Sequence, residues 1–252
     1  MMFTEIVVPV EDPAALDGGG AWAALLGPTL GLDVRTLHVE APAGAADSVE
    51  DAIVAQLGER SLLVMESEHA DRWTGKASIA EHVVDRFGHT AIVIGPTCCG
   101  RANGSVPEDA APEDAASEMP AGPILVAVDG SPRAEAALEV ARWLGAALGR
   151  AVEVVRVAAV PIGRPDEAAA LVTEAQRYVG GLHADASTVV SSNDPVSALA
   201  DIAQRRAAGM VVLASRGDRQ SPRPTIAKTC SGLVAASPCP VMVVGTLETE
   251  AS

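Results

Sequence analysis

The sequence predicts an α/β fold made of two doubly wound open parallel sheets in tandem, the first of them shortened. Three observations carry that reading. Short runs of Val and Ile, bounded by Gly, Pro and Asp, alternate with Ala- and Leu-rich stretches at helical spacing, as buried parallel strands alternate with the helices that join them. The pattern also repeats. Ile6-Val7-Val8-Pro9-Val10 matches Ile124-Leu125-Val126-Ala127-Val128 at an offset of 118, and the same offset pairs Val34 with Val152 and Val39 with Val157. Finally, aromatic residues are only 2% of the 252, so the core is built from Ala, Val, Leu and Ile.

The elements follow in order. The first copy reads as a strand at 5–10, a helix at about 14–30, a strand at 34–39, a helix at 48–58, a strand at 61–65, a helix at 77–87 and a strand at 91–95. Asp17-Gly18-Gly19-Gly20 lies inside the first helix, lacks G-x-G-x-x-G spacing and reads as a loosened helix start. Later strands match at larger offsets: Leu62-Leu63-Val64-Met65 with Met210-Val211-Val212-Leu213 at 148, and Ala91–Gly95 with Val241–Gly245 at 150. The jump from 118 to 148 means that the first copy lacks about thirty residues, one helix and one strand, in mid-unit.

Residues 98–121 hold Gly100, Asn103, Gly104, Pro107, Pro112 and Pro120 among acidic clusters, and read as a solvated linker between domains at 1–97 and 122–252. The second copy reads as strands at 124–128, 152–157, 186–190, 210–214 and 240–244, with helices at 132–148, 166–180, 195–207 and 226–236. Ser131-Pro132 and Asp194-Pro195 each supply an N-cap and a first-turn proline.

Lys and Arg number 18 against 33 Asp and Glu, a net charge of −15. That argues against a nucleic-acid protein, which needs a basic face, and equally against a polybasic membrane-surface module. The charge is uneven: −10 in 1–97, −4 in 98–121 and −1 in 122–252. No apolar run reaches the roughly 18 to 20 residues of a membrane span, and Met1-Met2-Phe3-Thr4-Glu5 has no basic region to open a secretory leader. Cys98, Cys99, Cys230 and Cys239 include no C-x-x-C, and no His or carboxylate stands beside them at ligand spacing. Reduced thiols, a cytoplasmic location and no metal are expected. His38, His69, His82, His89 and His183 form no H-x-x-x-H pair, and no nucleophile elbow is present, so no enzyme is expected.

Open α/β sheets bind ligands beyond the carboxyl ends of their strands, where strand order reverses. In the second copy that places Asp129-Gly130-Ser131-Pro132 and Ala214-Ser215-Arg216-Gly217 at the mouth of a site. A carboxylate there accepts hydrogen bonds from an amine or hydroxyl, and a glycine-containing loop entering a helix presents N–H groups to phosphate. Arg216, Arg219, Arg223 and Lys228 face a single acid, Asp218, in a segment that is locally cationic within an acidic chain.

These residues resemble the universal stress protein family in its tandem-domain form. Ile124–Ser131 is similar to the family's opening strand and loop, Ser237–Val244 to its closing strand, and Ser215-Arg216-Gly217 to its phosphate loop. The resemblance implies an adenine-nucleotide-hydrolase-like fold and a non-catalytic stress-response regulator. It also implies ATP or another adenine nucleotide as ligand. ATP-binding members carry G-x-x-G, nine residues, then G-[S/T], with an Asp after the first strand and a Val ending the second. Carried over, Asp129 meets the adenine or ribose and Val157 walls the base. Ala214 stands at the first glycine, Gly217 at the second, and Ala227-Lys228 at the final pair, with Arg216 and Thr229 beside them. Two glycines are therefore alanines. A Cβ hinders close approach of backbone to phosphate, whereas Lys228 can hold phosphate by charge. The alternative is a ligand-independent stress protein that acts through contacts with unidentified protein partners.

In the first copy Glu11 replaces the aspartate, and Glu66-Ser67-Glu68-His69 stands where the phosphate loop belongs, so no nucleotide is expected there. Lys76-Ala77-Ser78 matches the start of the last helix. The resemblance also implies that 91–95 and 240–244 make a pseudo-two-fold contact within the chain, with a homodimer as a further assembly.

Overall fold

The computed structural model describes residues 2–10, 18–39, 49–67, 89–98, 121–159, 161, 163–215 and 227–245. The strands are β1 (Glu5–Val10), β2 (Asp33–His38), β3 (Ser61–Glu66), β4 (Thr90–Ile94), β5 (Ile124–Ala127), β6 (Val152–Ala158), β7 (Ala186–Ser191), β8 (Met210–Ala214) and β9 (Val241–Val244). The helices are α1 (Gly18–Leu30), α2 (Val49–Val54), α3 (Pro132–Leu148), α4 (Pro165–Gly181), α5 (Pro195–Arg205) and α6 (Ala227–Ala236). The expected helix at 77–87 and all but the ends of the linker at 98–121 lie outside the described residues.

All nine strands form one sheet in the order β2-β1-β3-β4-β9-β8-β5-β6-β7. Neighbours are parallel within each half, and the halves meet where β4 and β9 pair antiparallel, Ala91 opposite Val243, Ile92 opposite Met242 and Val93 opposite Val241. The two sheets of the repeat are therefore continuous, because each half ends in a strand with one unpaired edge. Side chains tie the same seam. The Thr97 hydroxyl donates to the Ala235 and Ser237 carbonyls at 3.1 and 2.7 Å, and Gly245 N–H donates to Thr90 Oγ1. A Cβ on Gly95 would lie 1.9 Å from the Val234 carbonyl oxygen, so only glycine lets α6 approach so closely.

Alternating side chains feed two cores, one on each face. Ile6, Val8, Val126, Val154 and Met242 point to the side covered by α1, α3 and α4, while Val7, Leu63, Val155, Leu213 and Val243 point to that covered by α2, α5 and α6. Phe3 and Trp143 meet edge to face at 5.5 Å where α1 lies against α3.

The 118-residue repeat is visible in the packing. A Cβ on Gly27 of α1 would sit 2.4 Å from Val34 Cγ2 and 3.1 Å from the Leu32 carbonyl oxygen. A Cβ on Gly145 of α3 would sit 2.6 Å from Val152 Cγ2 and 2.9 Å from the Arg150 carbonyl oxygen. Both helices thus rest on their next strand through a glycine at equivalent positions. The flanks beyond differ. β6 pairs with β7 and lies under α4, whereas among the described residues no strand lies outside β2. Val152 is 5% exposed and Val34 43%.

Small boundary differences have local causes. The helix expected at 48–58 is regular only to Val54, and a short turn then carries the chain past Gly58 into β3, with Ser61 N–H donating to the Gly58 carbonyl. The helix expected to reach 207 ends at Arg205, where Ala207 takes a positive φ of 46° and turns the chain into β8.

Candidate functional site

β5 lies between β8 and β6, and strand order reverses beside it. The chain leaves β8 and β5 toward opposite faces of the sheet, α6 following on one side and α3 on the other, so the two carboxyl ends diverge and leave a crevice. A cavity of about 270 Å³ occupies that place. Its wall is apolar, with Val155 and Val157 from β6, Leu213 and Ala214 from β8, and Leu199 from α5. Its polar groups are Asp129, Ser131 and Arg133 from the loop after β5 and the start of α3, Ser215 after β8, and Thr229 in α6.

The loop after β5 is fixed locally. Ser131 N–H donates to Asp129 Oδ1 at 2.9 Å, and the Ser131 hydroxyl caps α3 by accepting from Ala134 N–H. Between them Gly130 has φ +89°, a conformation that a side chain strains. From behind, the Arg156 guanidinium closes on Gly130 and stacks over the Tyr178 ring at 4.9 Å. The Tyr178 hydroxyl is buried and has no hydrogen-bond partner among the described residues. Burial, the Glu135 carboxylate and Asp129 push its pKa up, and Arg156 acts against them. On the other side, Ser215 is buried and its N–H donates to the Val244 carbonyl, which locks the end of β8 to β9.

Asp129, Val157, Ala214 and Thr229, all expected at a site, come together on this cavity. Arg216 and Gly217 lie outside the described residues, and Ala227 and Lys228 form the first turn of α6. Sequence reasoning missed Arg133, Leu199 and Pro195. The first had a signal: an arginine in the first turn of a helix opposes the macrodipole, which favours anions there. Pro195 and Leu199 lie one helical turn apart, but the crossover from β7 to β8, which swings α5 over this strand end, is not a local property of the chain.

In the first half the strand end equivalent to Ala214, at the offset of 148, is Glu66, a buried carboxylate. Glu11, Glu68, His69, Lys76, Ala77 and Ser78 lie outside the described residues. Among the described residues no three His, Cys, Asp or Glu side chains cluster to hold a metal ion, and no helix is long and apolar enough to cross a membrane.

The fold has solved counterparts across nearly the whole chain. A universal stress protein from Archaeoglobus fulgidus DSM 4304 matches with a TM-score of 0.58 at 16% identity, covering 98% of this chain and 88% of that one. A functionally unknown protein from Pseudomonas aeruginosa matches at 0.57 and 12% identity, covering 98% and 94%. At such identities the likeness is one of fold. No curated protein matches the chain. Residues 121–245 match the sequence model of the universal stress protein family, and this half of the molecule, which carries the cavity, belongs to that family.

Proposed function

We propose that this chain is a non-catalytic stress-response regulator that binds an adenine nucleotide, ATP among the candidates, at the carboxyl ends of β5 and β8. The observation that carries the reading is the convergence of Asp129, Val157, Ala214 and Thr229 on one cavity at the switch point of the sheet. The residues suit such a ligand. Val155, Val157, Leu199 and Leu213 offer an apolar slot for a base, and Asp129 offers an acceptor for sugar hydroxyls. About 270 Å³ falls just below the range of ligand pockets, which run from about 300 to 1,000 Å³. It suits a base and part of a sugar, and the resemblance to the family assigns the phosphates to Arg216, Gly217, Ala227 and Lys228. In this reading residues 122–252 are the binding unit, 1–97 a counterpart without a ligand, 98–121 the tether, and the protein works in the cytoplasm.

Calorimetry of the full chain with ATP, AMP and cyclic AMP tests the proposal. Heat of binding is expected for at least one, and Asp129→Ala should weaken it by about tenfold, since hydrogen bonds to charged groups contribute about 1.5–3 kcal/mol. Absence of heat with all three at millimolar ligand overturns it. A ligand-independent protein acting through protein contacts is the second reading, favoured by Ala214, whose Cβ stands where a glycine would let backbone reach phosphate. Adenine nucleotide recovered in stoichiometric amount from the purified protein would count against it.

A further inference from the structure

We propose that Arg133 recognises a phosphate carried directly on the ribose, so that the cavity retains a nucleotide and releases the bare nucleoside. The inference rests on the adenine-nucleotide reading above and deepens it by assigning the group that senses the phosphate.

Arg133 is the second residue of α3 and lines the cavity. Its Nη1 reaches across the mouth to the Ser215 carbonyl at 3.5 Å, the outer limit of a hydrogen bond. The guanidinium therefore spans from the loop after β5 to the end of β8, where the chain enters the segment at 216–226. Among the described residues no carboxylate forms an ion pair with it. The placement is also unfavourable for the free protein, because a half-buried cation sits at the positive end of a helix. An anion would relieve both costs.

A guanidinium presents five N–H donors in a planar fork that fits phosphate oxygens two at a time, and among the described residues one long contact uses that capacity. The surroundings fix where the anion goes. Asp129 lines the same cavity and Glu135 shares the first turn of α3, and both repel phosphate. The phosphate therefore sits on the Ser215 and Thr229 side, away from Asp129, which is left to the sugar hydroxyls. Ala214 in place of glycine gives the role to a side chain: where backbone N–H groups are held back by a Cβ, a long side chain can still reach.

The experiment compares AMP with adenosine by calorimetry on the full chain, as wild type, Arg133→Gln and Arg133→Lys, with melting temperatures confirming equal folding. The wild type should bind AMP about ten to a hundred times more tightly than adenosine. Arg133→Gln should collapse that ratio toward one, Arg133→Lys should keep part of it, and rising salt should erode it in the wild type. An unchanged ratio in Arg133→Gln overturns the assignment, as does equal binding of AMP and adenosine by the wild type, and either result leaves the nucleoside cavity standing. Failure of both ligands to bind the wild type overturns this inference together with the reading beneath it.

Discussion

The outer flanks of β2 and β6 begin alike and end differently. Each strand receives a helix through a glycine, Gly27 over Val34 and Gly145 over Val152, at positions 118 residues apart. Beyond that contact β6 is enclosed by α4 and β7, and Val152 is 5% exposed; β2 is the rim of the sheet among the described residues, and 43% of Val34 meets solvent. The same local packing is thus tight in one half and relaxed in the other. What surrounds a contact, and not the contact distance alone, decides what a substitution there costs.

Substitutions at glycine turn that statement into measurements. The seam should be the most sensitive place, because it is enclosed from both halves. Gly95→Ala sets a Cβ against the Val234 backbone and should cost about 3 kcal/mol or more in urea denaturation. Next should come Gly145→Ala, at about 1–3 kcal/mol net, since neither the buried Val152 nor the Arg150 carbonyl can yield. Gly27→Ala should cost least of the three, with the Leu32 carbonyl, 3.1 Å from the new Cβ, having to give by a few tenths of an ångström. Val34 can rotate toward solvent, and alanine gains about 1 kcal/mol of helix propensity over glycine. If Gly27→Ala costs as much as Gly145→Ala, the flank of β2 is not relaxed and the comparison breaks.

The smallest effect concerns what holds β2 to the sheet in the absence of an outer neighbour. Arg35 of β2 donates to Glu5 of β1 at 3.0 Å and to the Gln56 carbonyl at 2.9 Å, and the Ser61 hydroxyl donates to Glu5 at 2.6 Å. The Arg35 guanidinium, then Ser61, hold the Glu5 carboxyl below its usual range. A depressed carboxyl stabilises the fold above the unfolded value near 4.5, and that contribution disappears as pH falls through the lower folded value. Glu5→Gln should therefore lose up to about 1 kcal/mol at neutral pH, and the gap to wild type should close on acidification below about 4.5. A gap that persists at low pH would mean that Glu5 acts through packing instead of charge.

Sequence and structure agree where the information is local or repeated. Val- and Ile-rich runs gave the strands, and the offset of 118 placed β1 and β2 on β5 and β6. The glycines at the same offset went unnoticed because a glycine within a helical pattern shows its purpose only once the helix meets a strand. At the site, Asp129 and Val157 were legible as the ends of adjacent strands, whose register brings them near whatever the loops do. Arg133 and Leu199 were not, because their places depend on the direction of two crossovers. The antiparallel seam was expected from the family resemblance alone. Hydrophobic periodicity says that β4 and β9 are buried strands, and it is silent on which edge meets which.

That seam also sets a clock on synthesis. Ile92 and Met242, opposite one another in the sheet, are separated by 150 residues of chain. At about 5–20 residues per second, the edge of β4 waits about 8–30 s for its partner to be made. During that time Thr90-Ala-Ile-Val-Ile94 presents an uncharged, β-branched strand edge to the cell, the sort of template on which other strands add. Ribosome stalling between the two strands, or cleavage of the nascent chain there, would release a half-sheet with its stickiest side uncovered.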